Sequence, residues 1–82
     1  MTKKEKEILK KEYKDTIFDC YYWFAKSRKT NTKEDMETYN RKVQNEIAIE
    51  QVLWALNISP EKLIPEVERD YLRRLAITTA NQ

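Results

Sequence analysis

No glycine occurs among the 82 residues, and this absence narrows the fold before any pattern is read. Two-residue hairpin turns need positive φ, which glycine adopts most readily. A chain without it has few ways to join short strands, and no stretch sustains an apolar/polar alternation of period two. Helices remain, with their breaks placed on asparagine, the residue best able to replace glycine in a left-handed cap. The expected fold class is all-α: a long antiparallel helical hairpin with a shorter third helix packed on its open end.

Missing residue types also remove chemistry. Without glycine there is no phosphate-cradling loop, dinucleotide fingerprint, nucleophile elbow or standard calcium loop. Without histidine the usual proton shuttle and the commonest zinc ligand are gone. Cys20 is the lone cysteine; it can form no intrachain disulfide and has no histidine to activate it as a nucleophile. We therefore expect no catalytic, cofactor-binding or metal-binding residues, no small-molecule substrate, and no enzymatic activity.

Three helices are predicted within one domain, at about 3–28, 33–56 and 65–77, with a short turn at 60–63. In the first, Ile8/Leu9, Tyr13, Ile17, Cys20 and Phe24 recur every three or four residues. The break at Thr30–Asn31–Thr32 leads into Thr32 and Asp35, a near relative of the capping box. In the second, the stripe is Met36, Tyr39, Val43, Ile47 and Trp54, and it is expected to face the first helix. Glu50 falls inside that stripe and, in antiparallel register, should lie near Lys10, Lys11 or Tyr13, paired rather than catalytic. Asn57 closes the helix and Ile58 covers its end. Ser59–Pro60–Glu61 reads as a new start, Pro65 interrupts it, and 78–82 should fray.

Apolar residues beyond one stripe per helix need another explanation. Ile49, Val52, Leu53 and Leu56 are expected to form a groove for Leu63, Ile64, Val67, Tyr71 and Leu75. In the first helix the surplus is Phe18, Tyr21, Tyr22 and Ala25, with Trp23 on the other flank. The third helix is expected at the far end of the hairpin, which makes these five a protein interface for a second subunit or another protein; the alternative is that the third helix folds back over them.

Charge is uneven. Residues 1–33 carry net +5 and residues 34–82 net −3, an asymmetry that can steer a charged partner. Lys26, Arg28, Lys29 and Lys33 cluster at the hairpin tip beside aromatic residues, a combination that suits protein or nucleic acid. Residues 49–67 also resemble a helix-turn-helix, but Leu53 stands where a small residue belongs and Pro65 would break the recognition helix. No apolar run approaches the roughly 18–20 residues that span a bilayer, and the basic start has no apolar stretch behind it. Mean hydropathy of −0.89 and a free thiol lead us to expect a cytoplasmic protein with no membrane partner.

The usage of eleven Lys, seven Ile, five Asn and five Tyr against five Arg looks like that of an AT-rich genome. The run Tyr39 to Ile58, YNRKVQNEIAIEQVLWALNI, resembles a helix found in anonymous small all-helical proteins of Gram-positive phages and mobile elements. Where that helix usually carries a small residue, this chain has Asn45 and Ala48. The resemblance implies a helical inhibitor of host or defence proteins, or a small regulator. Together these features lead us to expect a non-enzymatic interaction protein that binds and modulates a partner protein, with a homodimer as one form. The alternatives are a small nucleic-acid-binding regulator using the basic tip, and a structural subunit of a larger assembly.

Overall fold

Hydroxyl caps open the two long helices, and left-handed asparagines follow them. Thr2 accepts a hydrogen bond from the Glu5 amide at 3.1 Å while Glu5 reaches back to the Thr2 amide, a capping box that starts α1 (Lys3–Thr30). Asn31, at φ 52°, ends it. Thr32 accepts from the Asp35 amide at 3.2 Å and starts α2 (Lys33–Ala55). Asp35 does not complete the box; its carboxylate accepts from the Thr30 hydroxyl instead. Beyond α2, Asn57 takes φ 60°, and the Ile58 amide donates back to the Leu53 carbonyl at 2.9 Å, the long bond of a Schellman closure. A single turn, α3 (Pro60–Leu63), precedes Pro65, which caps α4 (Glu66–Ala80).

This computed structural model describes residues 1–82 and contains no strand. The all-α hairpin is as the sequence indicates. Helix α1 spans its full length: 28 residues at 1.5 Å per residue give about 42 Å, and the longest extent is 42 Å. The antiparallel register of α1 and α2 is fixed by Tyr13 with Glu50, Asp19 with Lys42 and Phe24 with Tyr39.

Two expectations are corrected. Helix α4 begins at the open end, where Glu68 pairs with Lys10 and Lys14, but then runs parallel to α1 up to the tip. There Ile77 and Asn81 line a hollow with Phe24, Ala25, Arg28 and Lys29. It does not fray at residue 78, because Ala76 and Ala80 are buried and their small side chains let the helices approach closely. The groove expected on α2 is therefore largely unused. Leu53 and Ile64 do join Tyr13 and Ile17 in the core, with Ile49 and Leu63 packed against it, but Val52, Leu56, Val67, Tyr71 and Leu75 are exposed.

The second correction is rotational. Of the stripe Met36, Tyr39, Val43, Ile47 and Trp54, only Tyr39 and Val43 are half-buried; Met36, Ile47 and Trp54 are 52%, 41% and 62% exposed. The face turned inward carries Tyr39, Glu46, Glu50 and Leu53. Helix α2 is thus rolled by most of a quarter turn from the orientation its hydrophobicity suggests.

Candidate functional site

Two carboxylates sit on the inward face of α2; one arginine from α4 meets Glu46 directly and reaches Glu50 through the Tyr13 hydroxyl. Glu50 accepts from the Tyr13 hydroxyl at 2.7 Å. Arg69 donates to the Tyr13 oxygen at 3.0 Å and to Glu46 Oε2 at 3.1 Å, and its guanidinium lies 6.0 Å from the Tyr21 ring centroid. One planar fork thereby ties all three long helices together, a geometry lysine could not reproduce. Glu46 Oε1 is buried and has no protein partner.

Burial raises the Glu46 carboxyl above the ordinary carboxylate range, with Arg69 opposing the rise. Tyr13 is pushed up to about 12, by burial first and then by its bond to Glu50. Burial would lower Arg69, but Glu46, then Tyr21 and Tyr13, outweigh it and its pKa is raised. Burial, followed by the charge of Glu46, lifts the Cys20 thiol to about 11, which keeps it a protonated thiol rather than a nucleophile. This network locks three helices. Above it, a groove of about 650 Å³ opens between α2 and α4, lined by Tyr13, Glu50, Trp54, Ile64 and Glu66 among others. No group of three His, Cys, Asp or Glu is gathered that could hold a metal ion.

The five residues expected to form a single interface are divided by α4. Ala25 lines the hollow beneath Ile77 and Asn81, and Tyr21 packs against the core beside Arg69. These two face the third helix, which reaches them because its fifteen residues extend about 22 Å along α1. Phe18, Tyr22 and Trp23 continue as a half-buried row: Phe18 stacks on Tyr22 at 6.4 Å, and Tyr22 meets Trp23 edge-on at 5.5 Å. Of the basic tip, Lys26 lies over the rings of both Tyr22 and Trp23, and Arg28 lies 4.5 Å from the Phe24 centroid. Lys29 and Lys33 are exposed.

Sequence reasoning missed two apolar surfaces. One is the outer flank of α2, with Met36, Ile47 and Trp54. The other is a ridge on α4 formed by Val67, Tyr71 and Leu75, at i, i+4 and i+8, the first two 84% and 64% exposed. Both are core positions by hydrophobicity alone, and their regular spacing is the signal that the sequence offers. Comparison with family models, with curated proteins and with solved structures found no match. No helix is long and apolar enough to cross a membrane.

Proposed function

We propose that this chain is a non-enzymatic interaction protein that binds another protein and modulates or inhibits it by occupying its surface. One observation supports this most directly. Ten large apolar side chains are exposed, whereas only nine residues of any kind are buried. Single exposed apolar residues are ordinary, but six of these ten lie in two rows, Met36, Ile47 and Trp54 on α2 and Val67, Tyr71 and Leu75 on α4. Contiguous apolar surface of that kind marks sites of association. The α4 ridge and the Phe18–Tyr22–Trp23 row are the surfaces assigned to the foreign partner. Origin in a phage or mobile element, and a cytoplasmic setting, belong to the same proposal; they rest on the resemblance of residues 39–58 and on composition.

The test is affinity capture from a candidate host extract with wild type, Val67→Asp/Tyr71→Asp and Phe18→Ala/Tyr22→Ala, each checked for native helicity by circular dichroism. A protein retained at fixed stoichiometry by wild type and lost with either variant is the expected result. Equal retention by all three, or none by any, removes the proposal. A salt-sensitive gel shift of DNA or RNA at ~50 mM salt, abolished in Lys26→Ala/Arg28→Ala/Lys29→Ala, would assign the tip to nucleic acid instead.

A further inference from the structure

Along the border between the inward face of α2 and solvent runs a stripe with the register of a coiled-coil seam. Its positions are Met36, Asn40, Val43, Ile47, Glu50 and Trp54, at spacings of four, three, four, three and four. Alternating spacings of three and four define the a and d positions of a heptad, the pattern that seats one helix on another. The seam is about 27 Å long at 1.5 Å per residue. Four of the six positions are exposed, and Val43 and Glu50 are half-buried.

We propose that the occupant of this seam is a second copy of the chain, its α2 antiparallel to the first. The seam is palindromic in chemistry about position 45. In that register Met36 meets the partner's Trp54, Val43 meets the partner's Ile47, and Asn40 meets the partner's Glu50. The two polar members of an otherwise apolar seam thus face each other. Glu50 uses Oε2 to accept from Tyr13, which leaves its other oxygen for the Asn40 amide. On the exposed flank, Glu37 falls opposite the partner's Gln51 and Gln44 opposite the partner's Gln44, with no like charges opposed; on the inward flank Glu46 falls opposite the partner's Glu46, and each is neutralised by Arg69 of its own chain.

Alternative pairings lose these matches. A parallel pair would set Glu50 against the partner's Glu50 in an apolar seam, which charge repulsion and desolvation both disfavour. A slip of one heptad sets Asn40 against the partner's Val43, or Glu50 against the partner's Ile47. A single buried asparagine is a known device for fixing register at some cost in stability. Twofold pairing also closes on itself, so it yields a dimer and no filament.

This inference rests on reading the outer flank of α2 as an interaction surface, but it does not depend on the foreign partner. Sedimentation equilibrium of wild type across ~1–500 µM should move from 10.0 kDa toward twice that mass, as expected for an interface near the small end of the specific range. Asn40→Glu and Ile47→Glu alter exposed side chains and should retain wild-type helicity. Each places a carboxylate in the seam, opposite the partner's Glu50 or Val43, and should weaken the dimer at least ~30-fold. Orientation is read separately with a short bis-maleimide. Gln44→Cys, beside the axis, should join to itself; Asn45→Cys, at the same height on the opposite face, should not.

A wild type that stays monomeric throughout overturns the proposal. So does a dimer that tolerates both seam variants but dissociates in Val67→Asp/Tyr71→Asp, which would place the contact on α4. Equal cross-linking of Gln44→Cys and Asn45→Cys also overturns it. A monomer that still captures a foreign protein removes only the dimer, whereas a dimer that captures nothing removes only the foreign partner.

Discussion

The inner and outer faces of α2 are the reverse of what their residue types suggest. The inner face buries Glu46 and Glu50 beside Tyr39 and Leu53, while the outer flank exposes Met36, Ile47 and Trp54. Hydrophobicity alone would roll the helix the other way. The difference shows that a helix's orientation depends on what its neighbours can supply. On the inside, Arg69 and Tyr13 provide donors that make the carboxylates tolerable. On the outside, Met36, Ile47 and Trp54 stay largely exposed, and a second copy is the neighbour proposed above.

The strongest way to break that contrast is to remove the inside partner. Arg69→Leu leaves Glu46 half-buried without its cation and should lose about 2–3 kcal/mol at pH 7, toward the lower end for a buried pair because both groups retain some exposure. Its pH dependence has a definite sign. Glu46 is already raised in the folded protein, and loss of Arg69 raises it further. The folded state then holds a proton more readily than the unfolded chain, so stability recovers as pH falls through the raised carboxyl toward the ordinary range. Urea melts at pH 7 and pH 5 should show the gap from wild type narrowing at the lower value.

A smaller effect is expected from Tyr13→Phe, which keeps the buried ring and removes the hydroxyl that bridges Glu50 and Arg69. A loss of about 1–2 kcal/mol in the same melts would match removal of its two hydrogen bonds when both charged partners, being partly exposed, turn to water. Replacing the ion pair as a unit sharpens the comparison. Glu46→Leu/Arg69→Met should lie within ~1 kcal/mol of wild type or above it, because desolvation is removed together with attraction. A double variant as unstable as Arg69→Leu would mean that the network does more than compensate its own burial. The smallest change is expected outside: Trp54→Ala, measured at ~1 µM where the chain is monomeric, should alter stability by less than ~0.5 kcal/mol.

Local chemistry made some of this legible in the sequence. Asn31 and Asn57 take the left-handed positions that a glycine-free chain would need. Thr32 caps the second helix, and Glu50 finds Tyr13, because a single charge interrupting an apolar stripe has few places to go in an antiparallel hairpin. Periodicity revealed that α2 has an apolar stripe but not which neighbour covers it; that depends on Arg69, which lies in the charged run Glu66–Arg74 and looks there like ordinary solvated surface. The path of α4 was hidden for a related reason. Ala76 and Ala80 carry little hydrophobic signal, and their contribution is to permit close approach, which only the assembled helices reveal.

The placement of α4 also bears on the order of assembly. The hairpin closes over a two-residue connection and forms from near neighbours in the chain, whereas Glu68 must find Lys10 and Lys14 across more than fifty intervening residues. Loop-closure entropy therefore favours α1 and α2 meeting first, with α4 docking last. The final strap laid down is the one that carries Arg69. Until it arrives, Glu46 has no cation beside it, and the roll of α2 against α1 rests on the contacts of Glu50 with Tyr13, Lys42 with Asp19 and Tyr39 with Phe24. Docking of α4 thus completes the contacts that keep Glu46 inward and leave Met36, Ile47 and Trp54 outside, so the longest loop closure in the molecule adds the last constraint on the face that α2 shows.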